Sequence, residues 1–300
     1  MVIGSNTTFN HLQLNGWRLL GWISLGNTLL VAALFMANSA NNPAHISDMI
    51  ANSVRVSVPW LYVAFAASSL LILFPNNLTK WIMKNRRYIG LCFAAGMMWQ
   101  LFFIVWLVFG YNDYYMEEKY SFHALVEEIP GYLILFALII TSFVAGRNIL
   151  TGKQWRILHK IGIYFLWAVV FSAYWYELYY YNDIQIIDYI YYWMGIGAWL
   201  VRIVAWAKKR GSHKQYKMAS GKQSPLPLVN IIAALSFTVI GLAMIFSGEI
   251  WASVVMRFTS QLFMHEWLEH LMALIPVLPF YVAALAASTR QRVNGYLLNT

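Results

Sequence analysis

Seven histidines are the side chains in this sequence best suited to hold a metal ion or an iron porphyrin: His11, His45, His123, His159, His213, His265 and His270. To act as a ligand inside a helical bundle, an imidazole must project inward from its helix. Two places draw attention. The run His265-Glu266-Trp267-Leu268-Glu269-His270 sets His265 with Glu269 and Glu266 with His270, each pair four residues apart and so on one helix face. The second histidine comes one residue too late for a zinc-protease helix. One pair also falls short of the three or four ligands zinc takes. The run therefore reads as an amphipathic interfacial helix with its own ion pairs. A metal site through His265, Glu269 and His270, helped by an outer carboxylate such as Glu249, is the alternative. His159 is the other place. Of the seven it alone opens an apolar stretch with more apolar helix beyond it, beside Arg156 and Lys160. It reads as an interfacial imidazole, or else as an axial ligand or proton relay.

Two further clusters carry chemistry of a softer kind. Tyr174-Trp175-Tyr176-Glu177-Leu178-Tyr179-Tyr180-Tyr181 and Asp188-Tyr189-Ile190-Tyr191-Tyr192-Trp193 crowd aromatic rings together. Such rings anchor a helix at the headgroup level, or stack on a quinone and assist electron hopping. Asp113, Glu117, Glu118, Glu127 and Glu128 with His123 form an acidic segment, read as a solvated charged face. There is no glycine-rich phosphate loop, no nucleophile elbow and no acidic metal motif within an apolar run. The single cysteine excludes an intramolecular disulfide framework and a cysteine-cluster metal site.

The elements that must position these groups are membrane spans. Hydrophobic residues make up 60% of the 300 and charged residues 11%, too few charges to cover a soluble globule. About 20 apolar residues cross a hydrocarbon core. Eight runs qualify: 17–38, 56–75, 88–110, 129–146, 161–180, 185–207, 226–247 and 268–288. They lack the two-residue alternation of a membrane barrel, so they are helices. Eighteen of the 21 Lys and Arg lie near the N-terminus, after the second, fourth and sixth runs, or after the eighth. All 12 Asp and Glu lie on the opposite side, where only Arg55, Lys119 and Arg257 are basic. Because positive charge resists translocation, this pattern predicts an all-α, eight-span inner-membrane protein with both termini cytoplasmic. The net charge of +9 is then a set of flanks on anionic headgroups, not a nucleic-acid surface. The organisation expected is a first span and outer loop over 1–54, a bundle core over 55–207, a basic linker over 208–225 and two more spans with an outer amphipathic segment over 226–300. The start lacks a signal-peptide cleavage pattern, so the first span reads as a retained anchor.

Within 55–207 a familiar order emerges. Phe74-Pro75 closes one span and Arg86-Arg87-Tyr88-Ile89-Gly90-Leu91 opens the next. Thr141-Ser142 closes a later one, and Trp155-Arg156-Ile157-Leu158-His159-Lys160 opens its successor. This resembles the ferric-reductase-like transmembrane domain family, in particular the haem-binding membrane subunit of methionine sulfoxide reductase systems. The resemblance implies a six-helix core that passes electrons across the membrane through haem b, served by a redox partner subunit or a quinone. It places haem ligands at His159 and at two further positions, here Gln100 and Ser172. Neither replacement side chain is a usual ligand for haem iron. Counted from Arg86 and from His159, those two positions rise ~21 Å and ~20 Å, to similar depth. Two functions follow from the resemblance: a redox-linked membrane subunit, or a bundle that has lost its cofactor and serves as a scaffold or a lipid- or quinone-binding partner.

Overall fold

A computed structural model describes residues 14–37, 42–120, 122–179, 185–217, 227–248, 250, 253–254, 257 and 272–288. All regular structure among them is helical: α1 (Trp17–Met36), α2 (Pro43–Leu73), α3 (Asn77–Gly110), a turn α4 (Asn112–Tyr114) running into a wider turn at Tyr115–Lys119, α5 (Phe122–Ser142), a turn α6 (Val144–Arg147), α7 (Gly152–Tyr179), α8 (Ile186–Lys217), α9 (Leu228–Phe246) and α10 (Leu278–Ser288). Six of these helices, α1, α2, α3, α7, α8 and α9, are long and apolar enough to cross a membrane, and the chain is a multi-pass membrane protein. The fourth and eighth expected spans fall on shorter apolar helical stretches, Glu128–Ser142 and Ile275–Ser288.

Local sequence sets the joints. Pro75 disfavours helix at Phe74 and ends α2. Asn76 then caps α3 reciprocally with Thr79: the Thr79 amide donates to Asn76 Oδ1 at 2.9 Å and the Asn76 amide to Thr79 Oγ1 at 3.1 Å. Thr151 and Gln154 close the start of α7 in the same way, at 2.9 and 3.3 Å. α8 continues to Lys217, so the first half of the stretch read as a solvated basic linker is helical. Lysine and arginine are good helix formers and favour a helix C-terminus.

Lipid removes most of the hydrophobic drive for one helix to join another, so close fit and interhelical hydrogen bonds hold the bundle. α2 is its axis, lying along α3 and against α1, α7 and α8. At Gly96 the α2–α3 approach is so close that a Cβ there would overlap Ser57. The main core joins Leu61, Tyr62 and Phe65 of α2 to Trp167, Phe171 and Trp175 of α7 and Tyr192 and Ile196 of α8. Gly195 lets α8 come in: a Cβ would sit 2.8 Å from the Phe171 ring and 2.9 Å from the Tyr62 hydroxyl. At the acidic end, Arg55 donates to Asp188 through Nε at 3.0 Å and Nη2 at 3.1 Å, tying α2 to the first turn of α8; Asp188 is completely buried. That pair explains one of the few basic residues on the acidic side. α1 and α9 are peripheral, turning Trp22, Leu25, Leu29, Leu235, Val239 and Phe246 outward, as lipid-facing helices do.

Candidate functional site: a basic cavity at one end of the bundle

The short link through α6 folds α7 back beside α5, and this brings His159 to Thr141. Thr141 sits in the last turn of α5, and its hydroxyl is 2.6 Å from the Ala137 carbonyl and 2.9 Å from His159 Nε2. A hydroxyl has one proton to give. With it on Ala137, Thr141 accepts from His159, and the Nε2 nitrogen is the protonated one. Trp155, one helical turn before His159, donates its indole N–H to the Thr141 carbonyl at 2.9 Å, and its ring lies 4.3 Å from the imidazole. The Arg147 guanidinium lies over the Trp155 ring, 5.3 Å from its centre. His159 is thus half-buried in a polar clasp between α5 and α7.

That clasp forms one wall of a cavity of about 820 Å³. Its floor is apolar, with Leu61, Leu91, Phe93, Leu135, Leu138 and Leu166. Its walls and rim carry Arg86, Arg87, Arg147, Arg156, Lys160, Arg202 and Lys209, with no carboxylate among the lining residues. Arg86 and Arg202 are both half-buried, and each is bonded to α2. Arg86 donates through Nε to the Ala64 carbonyl at 3.0 Å. Arg202 donates through Nη1 to the next carbonyl of α2, Phe65, at 2.6 Å, and through Nε to the Tyr164 hydroxyl at 3.0 Å. Its guanidinium is 4.3 Å from the Phe65 ring and 4.4 Å from the Tyr164 ring. Arg87 faces the rings of Trp17, Tyr88 and Phe143 at 5.4 to 5.9 Å.

Gln100 and Ser172 lie farther along the bundle, and both are half-buried. Gln100 points to α5: its Oε1 accepts from the Tyr132 hydroxyl at 2.8 Å. Beside Ser172 the interior is filled by rings. Trp167 and Phe171 stack at 5.0 Å, Phe171 and Tyr192 at 5.4 Å, and Trp175 is fully buried. Of the aromatic run read as an interfacial belt, Tyr174, Trp175 and Tyr192 are core residues; Tyr189 and Trp193 are exposed. Helix ends at an interface have two sides, and residue type alone does not say which side turns inward.

The residues present do not fit a haem held by two axial ligands. Gln100 is engaged with Tyr132, His159 presents a bonded Nε2, and the cavity lining holds no second imidazole, thiolate or thioether. Among the described residues no three His, Cys, Asp or Glu come together in a way that would hold a metal ion. His265, Glu269 and His270 lie outside the described residues.

The residues that sequence reading missed are Arg86 and Arg202. In the sequence Arg86 stands only as part of the Arg86-Arg87 pair, and Arg202 only as one of the cations counted toward the basic side. The available signal was their helical position, one in the second turn after Lys80 and the other in the middle of an apolar helix. Compared with protein-family models, with curated proteins and with solved structures, the chain matches none.

Proposed function

We propose that this chain is a ferric-reductase-like bundle that has lost its clamped haem and serves as a non-catalytic, amphiphile-binding subunit in the inner membrane. The basic end then faces the cytoplasm, where the charge bias puts it. The observation that carries this reading is the cavity: apolar side chains of α2, α3, α5 and α7 and seven cations line one space, with no carboxylate among them. Pockets of a few hundred to about 1,000 Å³ suit small-molecule ligands. The redox-linked reading draws on one feature of the same wall, the imidazole of His159.

Purification of the full chain from haem-replete cells tests both. The amphiphile reading expects no Soret band, and a lipid or quinone recovered with the protein by mass spectrometry of an organic extract. A Soret band that shifts on dithionite reduction would select the redox-linked reading instead. An extract with no amphiphile enriched over bulk membrane would sink the proposal.

A further inference from the structure

Arg86 and Arg202 hold two positive charges close together, anchored on consecutive carbonyls of α2. Each lowers the comfort of the other, because like charges partly withdrawn from water repel strongly. The ion pair of Arg55 with Asp188 lies on other helix turns, at the acidic end, and engages neither Arg86 nor Arg202. The sequence places no Asp or Glu in any of the segments that supply the basic end. Ionised groups within a bundle are costly unless paired, and they mark a functional pathway or ligand. Among the described residues no carboxylate meets Arg86 or Arg202.

The geometry also says what shape the partner has. Arg86 spends only Nε on the protein, so both of its terminal amino groups are left to donate into the cavity; Arg202 spends Nε and one Nη1 hydrogen and keeps Nη2. Two guanidinium forks match an oxyanion that offers several acceptor oxygens at once, which is the pattern of a phosphate. A neutral quinone would leave both charges unpaired. Below the arginines the lining is aliphatic and aromatic, suited to a chain or ring that avoids water.

We infer that the cavity binds a phosphate-headed amphiphile, its phosphate held by Arg86 and Arg202 and its apolar part on the Leu61, Phe93 and Leu135 floor. This rests on the amphiphile reading and narrows it to one head chemistry. A phosphate group is common to a membrane lipid and to a soluble phosphate, and only the tail tells them apart.

The test uses the full chain in phosphatidylcholine nanodiscs or detergent, with native mass spectrometry and thermal melting as readouts. Three probes are compared: phosphatidic acid, inorganic phosphate and a neutral quinone. The expected result is a saturable bound mass and a concentration-dependent rise in melting temperature with phosphatidic acid, because a ligand that binds only the folded state stabilises it. Arg86→Gln and Arg202→Gln each weaken that binding about tenfold or more, as the loss of a charged hydrogen bond does. Arg86→Lys and Arg202→Lys keep a charge without the fork and fall between. Lys84→Gln, exposed on α3 and outside the cavity lining, binds as the parent does. Native mass spectrometry counts ligand only on folded protein, so a variant that folds poorly still reports. Equal binding of phosphatidic acid and inorganic phosphate would overturn the amphiphile, leaving Arg86 and Arg202 as a site for a soluble phosphate. Binding of phosphatidic acid unchanged in both Gln variants would overturn the inference. So would binding of the quinone alone, which leaves the broader amphiphile reading standing.

Discussion

At the residue scale, His159 is a tie as much as a candidate ligand. Its Nε2 bond to Thr141 and its contact with Trp155 span α5 and α7 across a short link. His159→Ala is expected to cost about 1–2 kcal/mol through the lost Nε2 hydrogen bond and the lost ring contact, read as a lower melting temperature. An unchanged melting temperature would mean the clasp contributes nothing. Gln100 makes a comparable prediction. Tyr132→Phe removes the donor to a half-buried amide and should cost about 1 kcal/mol, by the same measurement. The two members of the His159 clasp were both visible in the sequence, as the Thr141-Ser142 exit and the Trp155 to His159 start. Their meeting was legible only by folding the link between them as a tight hairpin. The inward turn of Arg202 was not legible, because hydropathy gives the length of an apolar run and not which neighbour fills the space beside it.

Elements are held by fit where lipid supplies no drive. Gly96→Ala places a methyl on Ser57 of α2 and is expected to lower the melting temperature, at a cost of about 1–3 kcal/mol from overpacking. Wild-type stability in that variant would show that α2 and α3 have room to part. The Arg55–Asp188 pair joins α2 to α8 with both charges withdrawn from water. Asp188→Asn leaves Arg55 uncompensated and should cost about 3–5 kcal/mol, more than truncating a lipid-facing residue such as Leu235. The helices themselves were readable: the boundaries at Phe74-Pro75 and Thr141-Ser142 mark real ends, because proline and side-chain caps act locally. Helices α2, α3, α7 and α8 run beyond their apolar stretches. α3 starts at Asn77 rather than at 88, because a capped polar turn extends a helix beyond its apolar stretch.

Across the whole molecule, charge and shape agree. Seven of the 18 cations that the sequence gathers on one side line the cavity, and no carboxylate does. A reporter fused in the basic segment at Gly221 is expected to read as cytoplasmic, and one in the acidic segment at Asn112 as external; the reverse pattern would invert the orientation. Between the two ends runs a file of rings. Arg202 rests on Phe65, Phe65 lies parallel to Trp167 at 5.5 Å, and Trp167 stacks on Phe171 and, at 4.7 Å, on Trp199. The two indoles are near-parallel, 18° between their planes, so Trp199→Phe is expected to lower the melting temperature through the lost stacking, by about 0.5–1.5 kcal/mol beyond the lost area. Because one guanidinium links that file to the cavity, filling the mouth is expected to alter the tryptophan emission from the centre, which a titration with phosphatidic acid checks.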